Sequence, residues 1–201
     1  MRKILFTLVT FSLIAAAYTA CQRASEENKV DSELIGIQGD SVKVLYKYKL
    51  DSADFAWDVY AKEELEKITD LERLLQEISY TQGYNKFTYD SLSKRLAEVK
   101  AMQLEAGSMT SDKIDAYDNA INEIKGAIIK FAVEHPDFEK VPFMGKLVDS
   151  VEARDGRILL YRIKYDNYAR DFNNFLTPAR QYPGYIDTTA LNTRPLFQLE
   201  D

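Results

Sequence analysis

Between Met144 and Phe175, ten positions recur at alternating steps of three and four residues: Met144, Leu147, Val151, Arg154, Ile158, Tyr161, Tyr165, Tyr168, Phe172 and Phe175. All but Arg154 are apolar or aromatic. A 3.6-residue helix brings such a series back to one side, and a strand does not. The spacing therefore predicts one helix of about 32 residues, ~48 Å long at 1.5 Å per residue. Gly156 lies inside it at a cost of up to ~1 kcal/mol, which a seam this long overrides.

A second series of the same kind runs through Ile114, Tyr117, Ile121, Ile124, Ile128 and Phe131, with Ser111-Asp112 as a start and Pro136 as a stop. Two less regular stripes precede it. One is Trp57, Ala61, Leu65, Ile68, Leu71, Leu75 and Ile78, ending near Gly83; the other is Leu92, Leu96, Val99, Met102 and Ala106, ending at Gly107. No proline occurs before Pro136, so nothing interrupts these segments. Four amphipathic helices on short connections predict an all-α fold, an antiparallel bundle with crossing angles of roughly 20°. Val42, Val44, Tyr46, Tyr48 and Leu50 alternate with Lys43, Leu45, Lys47 and Lys49, which is strand spacing. That stretch is open between an edge element and an extension of the first helix.

The N-terminus reads as a bacterial lipoprotein signal. Arg2 and Lys3 precede an uncharged run of 17 residues, Ile4 to Ala20, and Tyr18-Thr19-Ala20-Cys21 closes it with small residues before a cysteine. Tyr18 stands where such signals usually carry an aliphatic residue. The run is shorter than the ~20 residues of a spanning helix, so the expectation is cleavage before Cys21 and lipidation of that residue. The chain then divides into a signal over 1–20, a polar tether over 21–41, a bundle over 42–176 and a proline-containing tail over 177–201. Acyl chains on Cys21 would supply the membrane attachment.

Composition narrows the chemistry. Among the 201 residues there is one Cys and one His. The chain alone can build no disulfide, no multi-histidine metal site and no cofactor site recognisable from motifs. Without Arg2 and Lys3, 24 basic residues face 32 acidic ones, a net charge of −8, which excludes nucleic acid as a partner. His135, between Glu134 and Pro136, lacks a local nucleophile and an orienting group, so it reads as a helix-end residue. Glu63, Glu64 and Glu66, like Asp149, Glu152 and Asp155, read as solvated helical faces. On the last helix, Arg154 interrupts the apolar seam, and Tyr161, Tyr165 and Tyr168 place hydroxyls along it. Arg154 either snorkels to an acid, or joins the tyrosines in a polar-aromatic groove for a peptide or partner helix. The tail carries Tyr182, Tyr185, Leu191, Leu196 and Phe197, which favours folding back onto the bundle.

Leu50-Asp51, Trp57, Val59, Asp70-Leu71 and Leu74-Leu75, in their order and spacing, resemble the leucine-aspartate, tryptophan and aspartate-leucine pattern of the LemA family, with Glu72 and Arg73 where the family carries a proline. His135-Pro136-Asp137-Phe138 is similar to Tyr-Pro-Asp-Leu, and Glu152 to Ile158, with Arg157, to Glu-x-x-x-Arg-Ile. Tyr165-Asp166 and Phe172-Asn173 stand where the family has two Tyr-Asn pairs, and Arg194-Pro195-Leu196-Phe197 resembles its terminal basic-Pro-x-Phe. The resemblance implies a long-helix bundle held at a membrane, with a lipid replacing the usual spanning helix.

The expectation for function is a non-enzymatic, extracytoplasmic lipoprotein that serves as an interaction or scaffolding module. It would be tied to the membrane through Cys21, with a protein partner of unspecified identity, and could self-associate. The alternatives are a peptide or small-molecule binding protein with a groove between helices, and an accessory factor in membrane protein quality control. Gln22, in place of the Asp that retains many lipoproteins at the inner membrane, leans to the outer membrane in a cell that has two.

Overall fold

A computed structural model describes residues 39–180 and 192–197. Cys21, the signal, residues 21–38 of the tether, and tail residues 181–191 and 198–201 lie outside the described residues. Four α-helices follow one another: α1 Gly39–Ser79, α2 Lys86–Lys100, α3 Ser111–Val133 and α4 Pro142–Ala179, with a 3-10 turn, Phe138–Lys140, before α4. Among the described residues there is no strand, and the fold is the all-α helical bundle that the periodicity predicts.

The chain divides into two compact units. The larger comprises residues 49–171 with the tail from Thr193. Across it, Tyr60, Glu63, Lys67 and Asp70 on α1 meet Arg162, Arg157, Asp155 and Ser150 on α4. One set of numbers rises as the other falls, so the two helices are antiparallel. Asp118 and Lys125 on α3 meet Arg162 and Asp155 in the same opposed order. Ile68, Leu71, Leu74 and Ile78 of α1 are fully buried with Leu96 of α2, Ile124 and Ile128 of α3, and Met144 and Val151 of α4. Asn85 caps α2, its side-chain oxygen accepting from the Thr88 N–H at 3.0 Å, and Thr110 caps α3. Gly83, at φ +87°, takes the left-handed turn between α1 and α2 that a side chain would strain.

In the smaller unit, residues 39–48 open α1 and residues 172–180 end α4. Tyr46 packs on Phe172 with ring centroids 5.7 Å apart, and Val42, Phe175 and Leu176 are buried. Residues 42–50 are therefore helix. Val42, Tyr46 and Lys49 also keep steps of four and three and are buried or half-buried, with Leu45 and Leu50 half-buried beside them, while Val44 and Tyr48 are exposed.

Three boundaries move from their expected places. α2 ends at Lys100, so Met102 and Ala106 fall in turns, and Met109 enters an apolar cluster beyond them. α4 begins at Pro142 and runs to Ala179, through Pro178. Within one turn of a helix end a proline forfeits a single backbone bond, and Pro178 is itself buried.

Candidate functional site

The register of α1 decides what the bundle buries. Leu65 is 43% exposed, whereas Glu64, Lys67 and Asp70 on neighbouring positions are buried. Their charges are met within the protein. Tyr117 donates to Glu64 Oε1 at 2.7 Å. Lys67 bridges that same oxygen, at 2.7 Å, and Asp155, at 3.2 Å, and Lys125 also bonds Asp155. Burial and the adjoining Glu64 carboxylate push the Tyr117 phenol well above its ordinary range. Glu64 Oε2 is buried without a hydrogen-bond partner among the described residues.

Interleaved with these groups on α1, Asp70, Glu63 and Glu66 accept from Arg154 at 2.8, 2.8 and 2.9 Å. Arg157 joins at Glu63, and Ser150 donates to Asp70 at 2.7 Å. Burial works against the Arg154 charge, but the bonds and charges of Asp70 and Glu63 outweigh it and raise its pKa. The interruption in the α4 seam is thus the centre of an ion-pair ladder between α1 and α4. Beside it, an open cleft of about 310 Å³ is lined by Tyr60, Glu64, Leu65, Gln103 and Leu104.

The most elaborate constellation lies where α1 and α4 meet the tail. The Phe197 ring sits 4.8 Å from Tyr60 and 5.7 Å from Tyr165, both edge-on, and lies nearly parallel to Trp57 at 5.9 Å. The Arg162 guanidinium stands 4.7 Å from the Phe197 ring centre, a cation–π distance. Asp118 holds that guanidinium by two bonds of 2.7 Å. Backbone and charge complete the docking. Tyr165 donates its hydroxyl to the Pro195 carbonyl at 3.0 Å, the Phe197 N–H donates to Asp166 at 2.8 Å, and Arg194 pairs with Asp54 at 2.5 Å. Burial pushes the phenols of Tyr60 and Tyr165 each up to about 12.

Several residues singled out in the sequence meet here. Trp57, Tyr165, Pro195 and Phe197 are scattered over 140 positions and share one cage. Tyr168 is half-buried against the same cluster, and Tyr161 is half-buried elsewhere on α4. Arg154 lies eleven residues from Tyr165, about 17 Å along the helix, and belongs to the ladder with Asp70 and Arg157. His135 is buried; its Nδ1 accepts the Asp137 N–H at 3.1 Å and its Nε2 meets the Thr81 hydroxyl at 3.0 Å. It ties the end of α3 to the α1–α2 turn. Pro136 is exposed in that connection, and a hydrogen bond from Lys140 holds the Asp137 carboxyl below its ordinary value. Phe172 belongs to the smaller unit, where Asn173 is half-buried.

Sequence reasoning did not find Asp54, Tyr60, Asp118 or Arg162, and it met Asp166 only as half of a family-like pair with no partner assigned. Charged residues on a helix read as solvated unless their partners are known, and these partners come from other helices and the tail. Among the described residues no group of acids, histidines or cysteines could hold a metal ion, and no helix is long and apolar enough to cross a membrane. No known protein family, curated protein or solved structure matches the chain.

Proposed function

We propose that the protein is a non-enzymatic, lipid-anchored extracytoplasmic module of the LemA type that works by binding other proteins at a bacterial envelope. The observation that carries this reading is the cage of Trp57, Tyr60 and Tyr165 around Phe197. It holds an extended segment through one ring, one ion pair and two backbone bonds, the chemistry by which protein modules hold peptides. The signal ending at Cys21 supports the anchor, and Gln22 supports an outer-membrane position in a cell with two membranes. Replacing Cys21 by Ser should abolish lipid labelling and release the protein from membranes. A variant that stays bound would overturn the anchor. Crosslinking in intact cells should then recover a defined neighbour, and recovery of monomer alone would overturn the interaction role.

A second reading, a small-molecule binding protein, is favoured by the cleft beside Glu64. The Glu64 side chain lines that cleft, and a carboxylate there suits a ligand with a hydrogen-bond donor. A screen of amines and other small donors by thermal shift on the wild type and on Glu64→Gln separates it from the first reading.

A further inference from the structure

We propose that the groove of Trp57, Tyr60 and Tyr165 is a docking site for an extended peptide of a partner protein with the pattern basic–Pro–x–aromatic. The chain's own Arg194-Pro195-Leu196-Phe197 is its resting occupant, displaced when the partner binds. The inference rests on the reading of the protein as an interaction module and names the ligand chemistry of that module.

Each position of the pattern is read by a separate group. Asp54 faces the first side chain with a carboxylate and selects a cation. Tyr165 donates to the carbonyl of the second residue, a contact that needs no N–H from it, so proline fits. The third side chain, Leu196, packs against the small apolar cluster of Ala56, Met109, Ile114 and Ala169. The fourth residue gives its N–H to Asp166 and its ring to the cage, where Arg162 favours an aromatic face over an aliphatic side chain.

The walls of the site are fixed without the tail. Asp118 holds Arg162 by two bonds, and the ladder around Arg154 and Lys67 joins α1 to α4. Residues 194–197 are only half-buried and form no regular structure, while Tyr60 and Tyr165 beneath them are almost wholly buried. Releasing the segment therefore uncovers a preformed site, the arrangement that lowers the cost of binding. The chain carries a net charge of −6, and the acidic groups Asp54 and Asp166 flank the groove, so a basic segment is the complementary partner. A second copy is the poorer occupant. It carries the same net charge of −6, so two copies repel one another where a basic partner is attracted.

The test uses the full-length chain and a labelled peptide, Asn-Thr-Arg-Pro-Leu-Phe, followed by fluorescence anisotropy. The Arg194→Ala/Phe197→Ala variant, with its groove vacated, should bind the peptide at least tenfold more tightly than the wild type, whose tail competes at an effective concentration of order millimolar. Changing the peptide's Phe to Ala, or its Arg to Glu, should weaken binding at least tenfold. A folded variant that takes no peptide, or takes the altered peptides equally well, overturns the site. If the double variant loses its helical circular dichroism, the wild type is labelled with the same peptide carrying a benzophenone on its Phe. Labelling confined to Trp57, Tyr60, Tyr165 and their neighbours supports the site, and labelling elsewhere overturns it. A wild-type dimer that Phe197→Ala dissolves would make the second copy the occupant and overturn the partner assignment. Failure of peptide binding by a protein that remains membrane-attached and crosslinks to its neighbours overturns this site alone and leaves the wider function standing.

Discussion

Arg154 Nε lies 2.8 Å from Asp70 Oδ2, joining α4 to α1 at a point where both side chains are largely buried. Asp70 also accepts from Ser150, so its loss would strand two donors. Asp70→Ala should lower stability by about 2–4 kcal/mol in urea unfolding, because Arg154 then keeps a buried charge with fewer partners. Asp70→Leu combined with Arg154→Met should cost less than Asp70→Ala alone. If the double variant were the less stable, the ladder would be contributing net attraction beyond its desolvation.

The tail cage predicts an optical signature. Trp57 is the single tryptophan and lies against Phe197. Phe197→Ala should shift its emission to the red and cost about 1 kcal/mol, roughly half the value of fully burying a phenyl ring. Unchanged emission in a folded variant would show that the ring does not cover Trp57 in solution.

Three buried phenols set the behaviour at high pH. Tyr60 and Tyr165 have pKa values of about 12, and Tyr117 is also raised. An unfolded tyrosine ionises near 10, so above that pH the unfolded state releases protons that the folded state retains. The contribution of these groups is complete below pH 10 and is lost as pH rises through the folded values. At pH 11 each of Tyr60 and Tyr165 should account for about 1.4 kcal/mol of lost stability. Unfolding at pH 9, 10 and 11 should show this fall, and Tyr60→Phe should make it shallower.

Two helical glycines offer stabilising substitutions. A Cβ added at Gly126 in α3 or Gly156 in α4 meets nothing within 4 Å. Gly126→Ala and Gly156→Ala should each raise stability by about 0.5–1 kcal/mol, the helix-propensity difference. Thermal melts of the single variants check this, and a lowered Tm at either would mean that the backbone there is not helical in solution.

α3 was legible almost residue by residue: Ile114, Tyr117, Ile121, Ile124 and Ile128 are all buried. There the apolar period and the packing face coincide. α1 was legible as a helix, and in its register from Ile68 to Ile78, where Ile68, Leu71, Leu75 and Ile78 are all buried, but not before Ile68, where Leu65 is exposed. Its inner face carries Glu64, Lys67 and Asp70, whose burial depends on Tyr117, Asp155 and Arg154 in distant parts of the chain. A one-dimensional pattern scores those positions as polar and turns them outward. The aromatic cage shows a different limit. Trp57, Tyr165 and Phe197 each stood out in the sequence, but no spacing rule joins residues so far apart. Only the antiparallel pairing of α1 with α4, and the return of the tail, brings them to one place.

The pairing of Asp54 with Arg194 spans 140 positions, and it sets a schedule for biosynthesis. Trp57 and Tyr60 are made early and Tyr165 late, but the ring that covers all three arrives only with Phe197. A chain cut short before that residue would display a patch of three aromatic side chains that the longer one hides. Such a patch would mark truncated copies at their surface.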